Sequence, residues 1–303
     1  MSSQGTLFRP QSFLMRFARS LGMEKTAWAL RRLHCPVPKD ALVLEVGSGG
    51  SPYARANVLL DAYEVTRERH WAPLVADRPT VLGFVENLPF RDGAFDFVIA
   101  SHVLEHSPCP ERFIAELQRV ARAGYIETPD AFMERVNPYH DHRLEVTVRE
   151  NRLIICKKFR WCIDPDLIEL YEHSAKPWVA GETIPRHPFD FHVRYYWSDR
   201  IDHEILNSHI DATWQAPKTS SVSHTAVRNV RQRLLSGLRF FLSQRERNSR
   251  IDLISLLRCP VCKGESLRSE GSTLVCDGCG ALHPVRSGGI PDMISGSLPP
   301  VVD

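Results

Sequence analysis

The hydrophobic pattern places a series of short strands in the first half of the chain. Residues 41–46 form an almost wholly apolar run that stops at a glycine, and a second run covers residues 58–61. Two further runs at residues 95–100 and 124–129 flank a helical pattern at residues 115–121. Short buried strands that alternate with helical segments predict an open α/β sheet.

The loop after the first strand reads Gly47-Ser-Gly-Gly50. Glycines let a backbone turn sharply and approach a ligand without a Cβ in the way. In an open α/β sheet ligands bind beyond the carboxyl ends of the strands, and this loop lies at such an end. Taken alone, the pattern is shared with NAD enzymes and with plain turns. Two nearby acids, Glu45 and Asp61, favour a nucleoside ligand whose ribose hydroxyls are held by carboxylates.

A second motif follows about 35 residues after the loop and reads Asn87-Leu-Pro-Phe-Arg-Asp-Gly-Ala-Phe-Asp-Phe-Val-Ile-Ala-Ser-His-Val-Leu-Glu-His106. Together with Val43-Leu-Glu-Val-Gly-Ser-Gly-Gly-Ser-Pro52 it resembles class I S-adenosylmethionine-dependent methyltransferases over residues 40–130. The resemblance implies a Rossmann-like sheet with helices on both faces and a helix that opens at His102. It assigns the cofactor to the following residues: Glu45, Gly47, Ser48, Gly49, Asp61, Glu86, Asn87, Leu88 and Ser101.

The chain departs from the family pattern in two places. The segment between Gly50 and Val58 is too short for a full first crossover helix, and Pro52 restricts it further, so we expect an irregular loop. Phe84 stands where the family commonly has an aspartate at the end of the third strand. Phe84 could stack on adenine, with Glu86 or Asn87 taking the polar contacts.

Methyl transfer to an oxygen requires a base, and His102 is the first candidate because it follows the fourth strand at the carboxyl edge. His106 is the second candidate, whereas Glu105 is better explained as a brace for the helix that we predict there. The pair His140 and His142 flanks an aspartate and could bind a metal or orient substrate. A loop rich in His and Asp is also often simply exposed.

The C-terminal region carries two C-x-x-C pairs separated by 13 residues: Cys259, Cys262, Cys276 and Cys279. Two thiolates from each of two tight turns satisfy a tetrahedral zinc site. Since all four ligands are protein sulfurs, the zinc should be structural. Residues 251–294 resemble the small zinc-binding activator subunit that partners RNA and protein methyltransferases, here fused to its client. So small a ribbon should depend on the metal for much of its folding free energy.

The net charge of the chain is +2, but basic residues are concentrated in one segment. Residues 225–250 carry seven arginines against one acid, and apolar residues recur there at helical spacing, which predicts an amphipathic helix. A linker helix with solvated arginines is the plainest interpretation. Contact with an anionic membrane surface or a polyanionic substrate are the alternatives.

Residues 131–224 should form the substrate side. Residues 144–148 and 153–156 predict a hairpin, and residues 188–197 are dense in aromatics, histidine and arginine. Such density suits a pocket for a flat or sugar-like substrate, although a strand packed on the core would show much of it too.

These observations predict the following domains: an N-terminal helical segment (1–38), a methyltransferase domain with a lid (39–224, lid about 131–224), a basic linker helix (225–250), a zinc ribbon (251–294) and a tail (295–303). No apolar run reaches the ~20 residues of a membrane span, and no secretory signal is recognisable. With the thiolate site, this predicts a cytoplasmic protein, in which the other four cysteines stay reduced.

The expected function is methyl transfer from S-adenosylmethionine to an oxygen of a small molecule or glycan intermediate. The activator-like ribbon and the arginine-rich segment support an alternative substrate, RNA or a translation protein. A third hypothesis is a non-catalytic scaffold, suggested by Phe84 and the short first crossover. Retention of Glu45, Gly47, Gly49 and Asp61 argues against the scaffold.

Overall fold

The computed structural model of this 303-residue protein describes residues 9–66, 73–162, 164–215, 237 and 241–294. These residues form two compact units. The first is made of the described residues of 1–37, 100–110 and 125–220, and the second of those of 38–99, 111–124 and 221–303. Within the described ranges, no helix combines the length and the apolar composition needed to cross a bilayer.

Thirteen strands are described, and their bounds in chain order are β1 Val43–Val46, β2 Val58–Asp61, β3 Thr80–Leu82, β4 Phe97–Ser101, β5 Ala123–Pro129, β6 Leu144–Arg149, β7 Arg152–Lys157, β8 His192–Ser198, β9 His203–Ile205, β10 Leu267–Glu270, β11 Thr273–Cys276, β12 Leu282–Arg286 and β13 Ile290–Pro291.

The α-helices of the described residues are short, and their bounds are α1 Phe13–Ser20, α2 Glu24–Leu30, α3 Pro110–Val120, α4 Ala131–Val136, α5 Pro165–Leu170, α6 Lys176–Trp178, α7 Ile184–Arg186, α8 Arg245–Asn248 and α9 Leu253–Leu256. Single 3-10 turns cover Arg31–Leu33, Val85–Asn87 and Leu104–His106, and π-helical turns cover Tyr171–Ala175 and Val179–Thr183.

The largest sheet has six strands in the order β3-β2-β1-β4-β5-β8. β1, β2 and β3 are parallel, with Leu44 opposite Val58 and Leu60 opposite Val81. Every residue of β1 and β2 is buried, as expected for parallel strands that are covered on both faces. The predicted Rossmann-like α/β sheet with helices is therefore confirmed.

Residues 47–57 contain no helix, so the first crossover is irregular, as the sequence predicts. The predicted helix opening at His102 is wrong. His102 has a left-handed backbone with φ 57°, a 3-10 turn follows, and α3 begins only at Pro110. Pro108 and Pro110 explain the delay, because a proline disfavours helical backbone at the residue before it and lacks an N–H donor.

The first unit contains α1 and α2 of the predicted N-terminal helical segment. It also contains the predicted hairpin, in which β6 and β7 pair antiparallel with Val146 opposite Ile155. Glu150 and Asn151 form the turn with φ of 50° and 61°, which matches the right-handed twist of the two strands. β9 extends this sheet beside β7.

The C-terminal part of the second unit is a four-stranded antiparallel sheet, β10 to β13. It meets the edge strand β3, where the N–H of Met293 donates to the carbonyl of Leu82 at 2.9 Å. A second contact joins Phe90 and Leu257, which form an antiparallel bridge and are both fully buried. The C-terminal sheet therefore covers an edge that would otherwise expose unpaired backbone groups.

Most of the predicted basic helix at 225–250 lies outside the described residues, so its roles as a linker or as a contact for a membrane or RNA stay predictions. Of its seven arginines, the structure describes Arg245, Arg247 and Arg250. Arg247 donates to the carbonyl of Ala41 at 2.9 Å, so this arginine serves as a structural contact within the second unit. The predicted domain boundaries stay predictions as well.

Candidate active site and zinc centre

The glycine loop after β1 has the geometry that a ligand-binding turn requires. Gly47 and Gly49 have φ of 63° and 55°, which residues with a Cβ rarely adopt. The carboxylate of Asp61, at the end of β2, accepts the N–H of Gly49 at 2.9 Å and that of Tyr63 at 3.0 Å. Asp61 therefore fixes the shape of the loop, and it is also the residue predicted to bind the ribose.

Glu45 and Ser48 complete this group of buried polar side chains, with exposed fractions of 1% and 4%. Oε2 of Glu45 accepts the N–H of Tyr53 at 2.7 Å. The hydroxyl of Ser48 has no hydrogen-bond partner among the described residues. A buried hydroxyl without a partner is costly, and a bound polar ligand would satisfy it. The residues of this loop thus fit a nucleoside cofactor such as S-adenosylmethionine.

Other residues that the sequence assigns to the cofactor have protein partners. The side-chain amide of Asn87 donates to the carbonyl of Pro260 at 3.2 Å and also contacts Lys263. Leu88 is fully buried, and its N–H donates to Glu116 at 2.7 Å. Of the predicted cofactor residues, five lie in the glycine loop and at the strand ends beside it: Glu45, Gly47, Ser48, Gly49 and Asp61. Glu86, Asn87 and Leu88 lie on the segment after β3. Ser101 ends β4 and belongs to the other unit.

The first unit contains a buried charge cluster centred on Glu127, in β5, which is fully buried. Arg31 donates two hydrogen bonds to its carboxylate, from Nε at 2.8 Å and from Nη2 at 3.1 Å. The hydroxyls of Ser101 and Tyr125 donate to it at 2.9 Å and 2.6 Å. Burial alone would raise the pKa of Glu127, but His102 and Arg31 hold this pKa well below its ordinary value of 4.5.

His102 lies between two carboxylates. Its Nδ1 is 3.3 Å from Oε1 of Glu105, and its Nε2 is 3.3 Å from Oε1 of Glu127. Burial opposes protonation, yet the two acids raise the pKa of His102 to about 9. Burial alone would raise the pKa of Glu105, but His102 lowers it to about 2. His102 is thus a cation at neutral pH. Its left-handed backbone is the kind of local strain that clusters at functional sites.

His192, at the start of β8, is a second imidazole beside this cluster, with its ring centroid 5.5 Å from that of His102. Its Nδ1 lies 2.8 Å from the carbonyl oxygen of Pro188. Burial, followed by the positive charge of His102, lowers the pKa of His192 below 6.5. Its ring also contacts Trp28, with ring centroids 4.6 Å apart.

The roles of Arg31, Glu127 and His192 are not recognisable from the sequence. Arg31 and Glu127 are 96 residues apart in the chain, and no local pattern links them. The segment around His192 was recognisable only by its density of aromatic and basic residues. His140 and His142, which the sequence treats as a pair, lie in different surroundings: the ring of His140 packs on Trp161, and that of His142 is buried beside Glu134.

The four cysteines converge as the spacing predicts. Their sulfurs lie within 4.8 Å of one another, with 3.7 Å between Cys259 and Cys279 and 3.5 Å between Cys262 and Cys276. Sulfurs bound tetrahedrally at ~2.3 Å from zinc would be about 3.8 Å apart, so the set fits zinc with little movement. Nε2 of His283 lies 3.5 Å from the sulfur of Cys259, a supporting contact that the cysteine spacing could not reveal.

The sheet order and the glycine loop define an α/β methyltransferase fold with a cysteine-rich C-terminal domain. Residues 44–126 match the family model described as methyltransferase domain, and residues 250–288 match the one described as Trm112p-like protein. The chain therefore contains a class I, S-adenosylmethionine-dependent methyltransferase domain and a C-terminal Trm112p-like domain, which confirms both resemblances seen in the sequence.

Curated relatives are similar over short segments. A tRNA (carboxymethyluridine(34)-5-O)-methyltransferase alkbh8 from Xenopus tropicalis is 35% identical over 95 residues, covering 28% of this chain and 14% of that protein. An ajmaline N-methyltransferase from Rauvolfia serpentina is 44% identical over 43 residues, covering 14% of this chain and 15% of that protein. The chain thus spans a small part of the length of each.

Two solved structures match parts of the chain. One is a complex of the Haloferax volcanii Trm112 methyltransferase activator with a methyltransferase; the match has 16% identity, covers 62% of this chain and 94% of that chain, and has a TM-score of 0.36. Another is an S-adenosylmethionine-dependent methyltransferase from Thermotoga maritima, with 22% identity, coverage of 39% and 55%, and a TM-score of 0.27.

Proposed function

We propose that this chain transfers a methyl group from S-adenosylmethionine to an oxygen of a small molecule or glycan intermediate. The cofactor supplies a methyl group activated on a sulfonium, and Glu45, Gly47, Ser48, Gly49 and Asp61 are the residues that would hold it. An oxygen acceptor loses a proton in the reaction, so the protein must provide a base. The observation that carries the proposal is a neutral imidazole, His192, beside the buried charge cluster.

His192 has the properties of a base at neutral pH. Since the carbonyl of Pro188 can only accept a hydrogen bond, Nδ1 of His192 is the protonated nitrogen and Nε2 carries the lone pair. The charged groups near the ring are His102, Glu127 and Arg31. Burial of His192, together with the positive charges of His102 and Arg31, disfavours protonation of the ring, so the ring is neutral and ready to take a proton.

The surroundings of His192 suit a flat or sugar-like acceptor. Trp28 contacts the ring of His192 and meets Phe189 edge to face with ring centroids 5.2 Å apart. The guanidinium of Arg194 lies 5.4 Å from the centroid of the Phe189 ring. Aromatic faces with a few placed polar groups are typical of pockets for small ligands.

His102 and His106 stay predicted catalytic residues, with a changed role for His102. A base must begin the reaction without its proton, whereas His102 at a pKa of about 9 holds one at neutral pH. We therefore assign proton removal to His192 and place His102 beside it as a fixed positive charge that keeps His192 neutral.

The pH dependence of methyl transfer tests this assignment. With His192 as the base, the rate should rise with pH below 6.5 and be constant above it, because the pKa of His192 lies below that value. His192→Asn should lower kcat by 10²- to 10⁴-fold, the usual contribution of a general base. Phe159→Leu, at an exposed aromatic residue of the same unit, is the matched control. A rate that keeps rising to pH 9 would contradict the assignment.

RNA is the second candidate substrate. It is favoured by the Trm112p-like match and by the similarity, over 95 residues, to a tRNA methyltransferase. Incubation of the full chain with labelled S-adenosylmethionine and fractionated cell extract separates the candidates. Label in small molecules supports the first proposal, and label in RNA supports the second. Absence of transfer to any fraction would favour the scaffold hypothesis.

We also propose that the Trm112p-like domain stabilises the methyltransferase domain within the same chain. Arg258 contacts Glu116 and Asp92, at 3.5 Å and 3.1 Å, and its N–H donates to the carbonyl of Pro89 at 3.1 Å. These contacts lie near Asn87, one of the residues that the sequence predicts to bind the cofactor, and the amide of Asn87 donates to the carbonyl of Pro260 within the first cysteine turn. Zinc binding should therefore support the cofactor site as well as the ribbon.

A further inference from the structure

A second group of side chains with metal-ligand chemistry lies in the first unit. Within the ranges that the structure describes, Glu105, His106 and His142 bring one ligand atom each to within 4.8 Å of one another. Glu105 and His106 belong to the turn after β4, and His142 precedes β6. A carboxylate with two imidazoles is a ligand set that binds zinc and other divalent transition metals.

Glu105 supplies a buried negative charge. Its side chain is 2% exposed, and no hydrogen bond of good geometry reaches either carboxylate oxygen from the described residues. Its charge partner is Nδ1 of His102, at 3.3 Å. A carboxylate in a dry site usually accepts several hydrogen bonds, because burial without them is costly. Oε1 of Glu105 faces His102, so Oε2 is the oxygen that would bind a metal ion.

His142 is oriented as a metal ligand. The residue is 7% exposed, and its Nδ1 lies 2.6 Å from Oε2 of Glu134. The other oxygen of Glu134 accepts a hydrogen bond from Nζ of Lys158 at 2.6 Å, and both of these side chains are buried. An ionised carboxylate only accepts, so Nδ1 of His142 donates and Nε2 keeps its lone pair. Carboxylate–histidine–metal arrangements fix the ligand tautomer in this way.

We propose that Glu105, His106 and His142 bind one divalent transition metal ion, with zinc as the first choice, and that Glu134 is a positioning residue that orients His142. Ligand atoms at ~2.0–2.2 Å from a tetrahedral metal are about 3.4 Å apart, so small side-chain movements would close the site. Three protein ligands leave a position for water or a substrate oxygen, as in catalytic zinc sites.

Metal content of the full chain tests the proposal. After loading with Zn²⁺ and dialysis against metal-free buffer, the wild type should retain about two zinc ions per chain, one in the four-cysteine site and one here. Glu105→Gln and His142→Asn should each retain about one. His140→Asn is the matched control, since its ring packs on Trp161, and it should retain about two. Circular dichroism shows whether each variant is folded.

Two further measurements do not depend on loss of a ligand. Glu134→Gln should weaken the second zinc by 10- to 100-fold in Kd, the usual effect of removing an orienting carboxylate. X-ray absorption at the zinc edge of the wild type should show nitrogen or oxygen ligands at ~2.0–2.2 Å in addition to sulfur at ~2.3 Å.

The proposal is overturned by a wild type that holds a single zinc with only sulfur ligands. It is also overturned if folded Glu105→Gln and His142→Asn proteins keep the second zinc, because the ion then binds elsewhere. Neither result depends on methyl transfer, so the metal site and the proposed function can fail separately.

Discussion

Substitution of Glu127 by glutamine is the sharpest test of the buried charge cluster. The variant has nearly the same size, but it is neutral and replaces one acceptor oxygen with a donor group. Arg31 and His102 then lose a shared counter-charge while Arg31 remains 8% exposed. Two of the hydrogen bonds affected come from Arg31, at 2.8 Å and 3.1 Å.

The expected loss in free energy of unfolding is about 3–5 kcal/mol, the usual cost of breaking a buried ion pair by removing one partner. Part of this loss can be relieved because His102 is free to release its proton, whereas Arg31 stays charged. The Arg31 contact should therefore account for most of the effect.

The loss in free energy of unfolding is measured by guanidinium unfolding of four proteins: the wild type, Glu127→Gln, Arg31→Met and the double variant. The double variant should be less destabilised than the sum of the two single variants, because the second substitution removes a charge that the first left unpaired. Glu172→Gln is the matched control, since its pair with Lys176 is exposed and should contribute no more than ~0.5 kcal/mol.

The pH dependence gives an independent check. The folded-state pKa of Glu127 lies well below its ordinary value of 4.5, so its contribution to stability is present above pH 4.5 and is lost as pH falls below that value. The difference in stability between the wild type and Glu127→Gln should narrow in acid. A difference under ~1 kcal/mol at pH 7, or one that is unchanged at pH 3, would refute the buried ion pair as a source of stability.

Three further outcomes are expected. S-adenosylhomocysteine at millimolar concentration should raise the Tm of the wild type. Asp61→Asn should reduce that rise in Tm, because it weakens the glycine loop and the predicted ribose contact. A wild type whose Tm does not change would contradict the cofactor assignment. Cys276→Ser should release the zinc of the four-cysteine site, because a hydroxyl does not replace a thiolate ligand. Emission spectrometry measures the zinc content, and a variant that keeps all of its zinc would contradict the four-cysteine site. Leu257→Ala truncates a fully buried side chain at the residue that forms a backbone bridge with Phe90, and it should cost about 2–5 kcal/mol in a urea titration. Leu282→Ala, at an exposed residue, should cost no more than ~0.5 kcal/mol, and equal losses would show that burial of Leu257 does not stabilise the C-terminal part of the second unit.

The sequence by itself was sufficient for features that local patterns encode. A run of apolar residues that ends in glycines defines β1 and the loop at Gly47, since a buried parallel strand and a positive φ each restrict the residue types allowed. The spacing of Cys259 and Cys262 likewise defines a metal-binding turn, because both ligands come from one tight loop. The prediction of a helix that begins at His102 was wrong. His102 has a left-handed backbone, and two prolines downstream disfavour helical backbone before α3.

Only the tertiary structure decided which distant groups share a buried environment. Arg31 comes from the N-terminal segment and Glu127 from β5, and their ion pair depends on chain packing that no short motif encodes. The same holds for Glu134 beside His142, and for the contrast between neutral His192 and charged His102. Protonation states depend on burial and on the sum of nearby charges, and both are set by residues far apart in the sequence that the fold brings within a few ångströms.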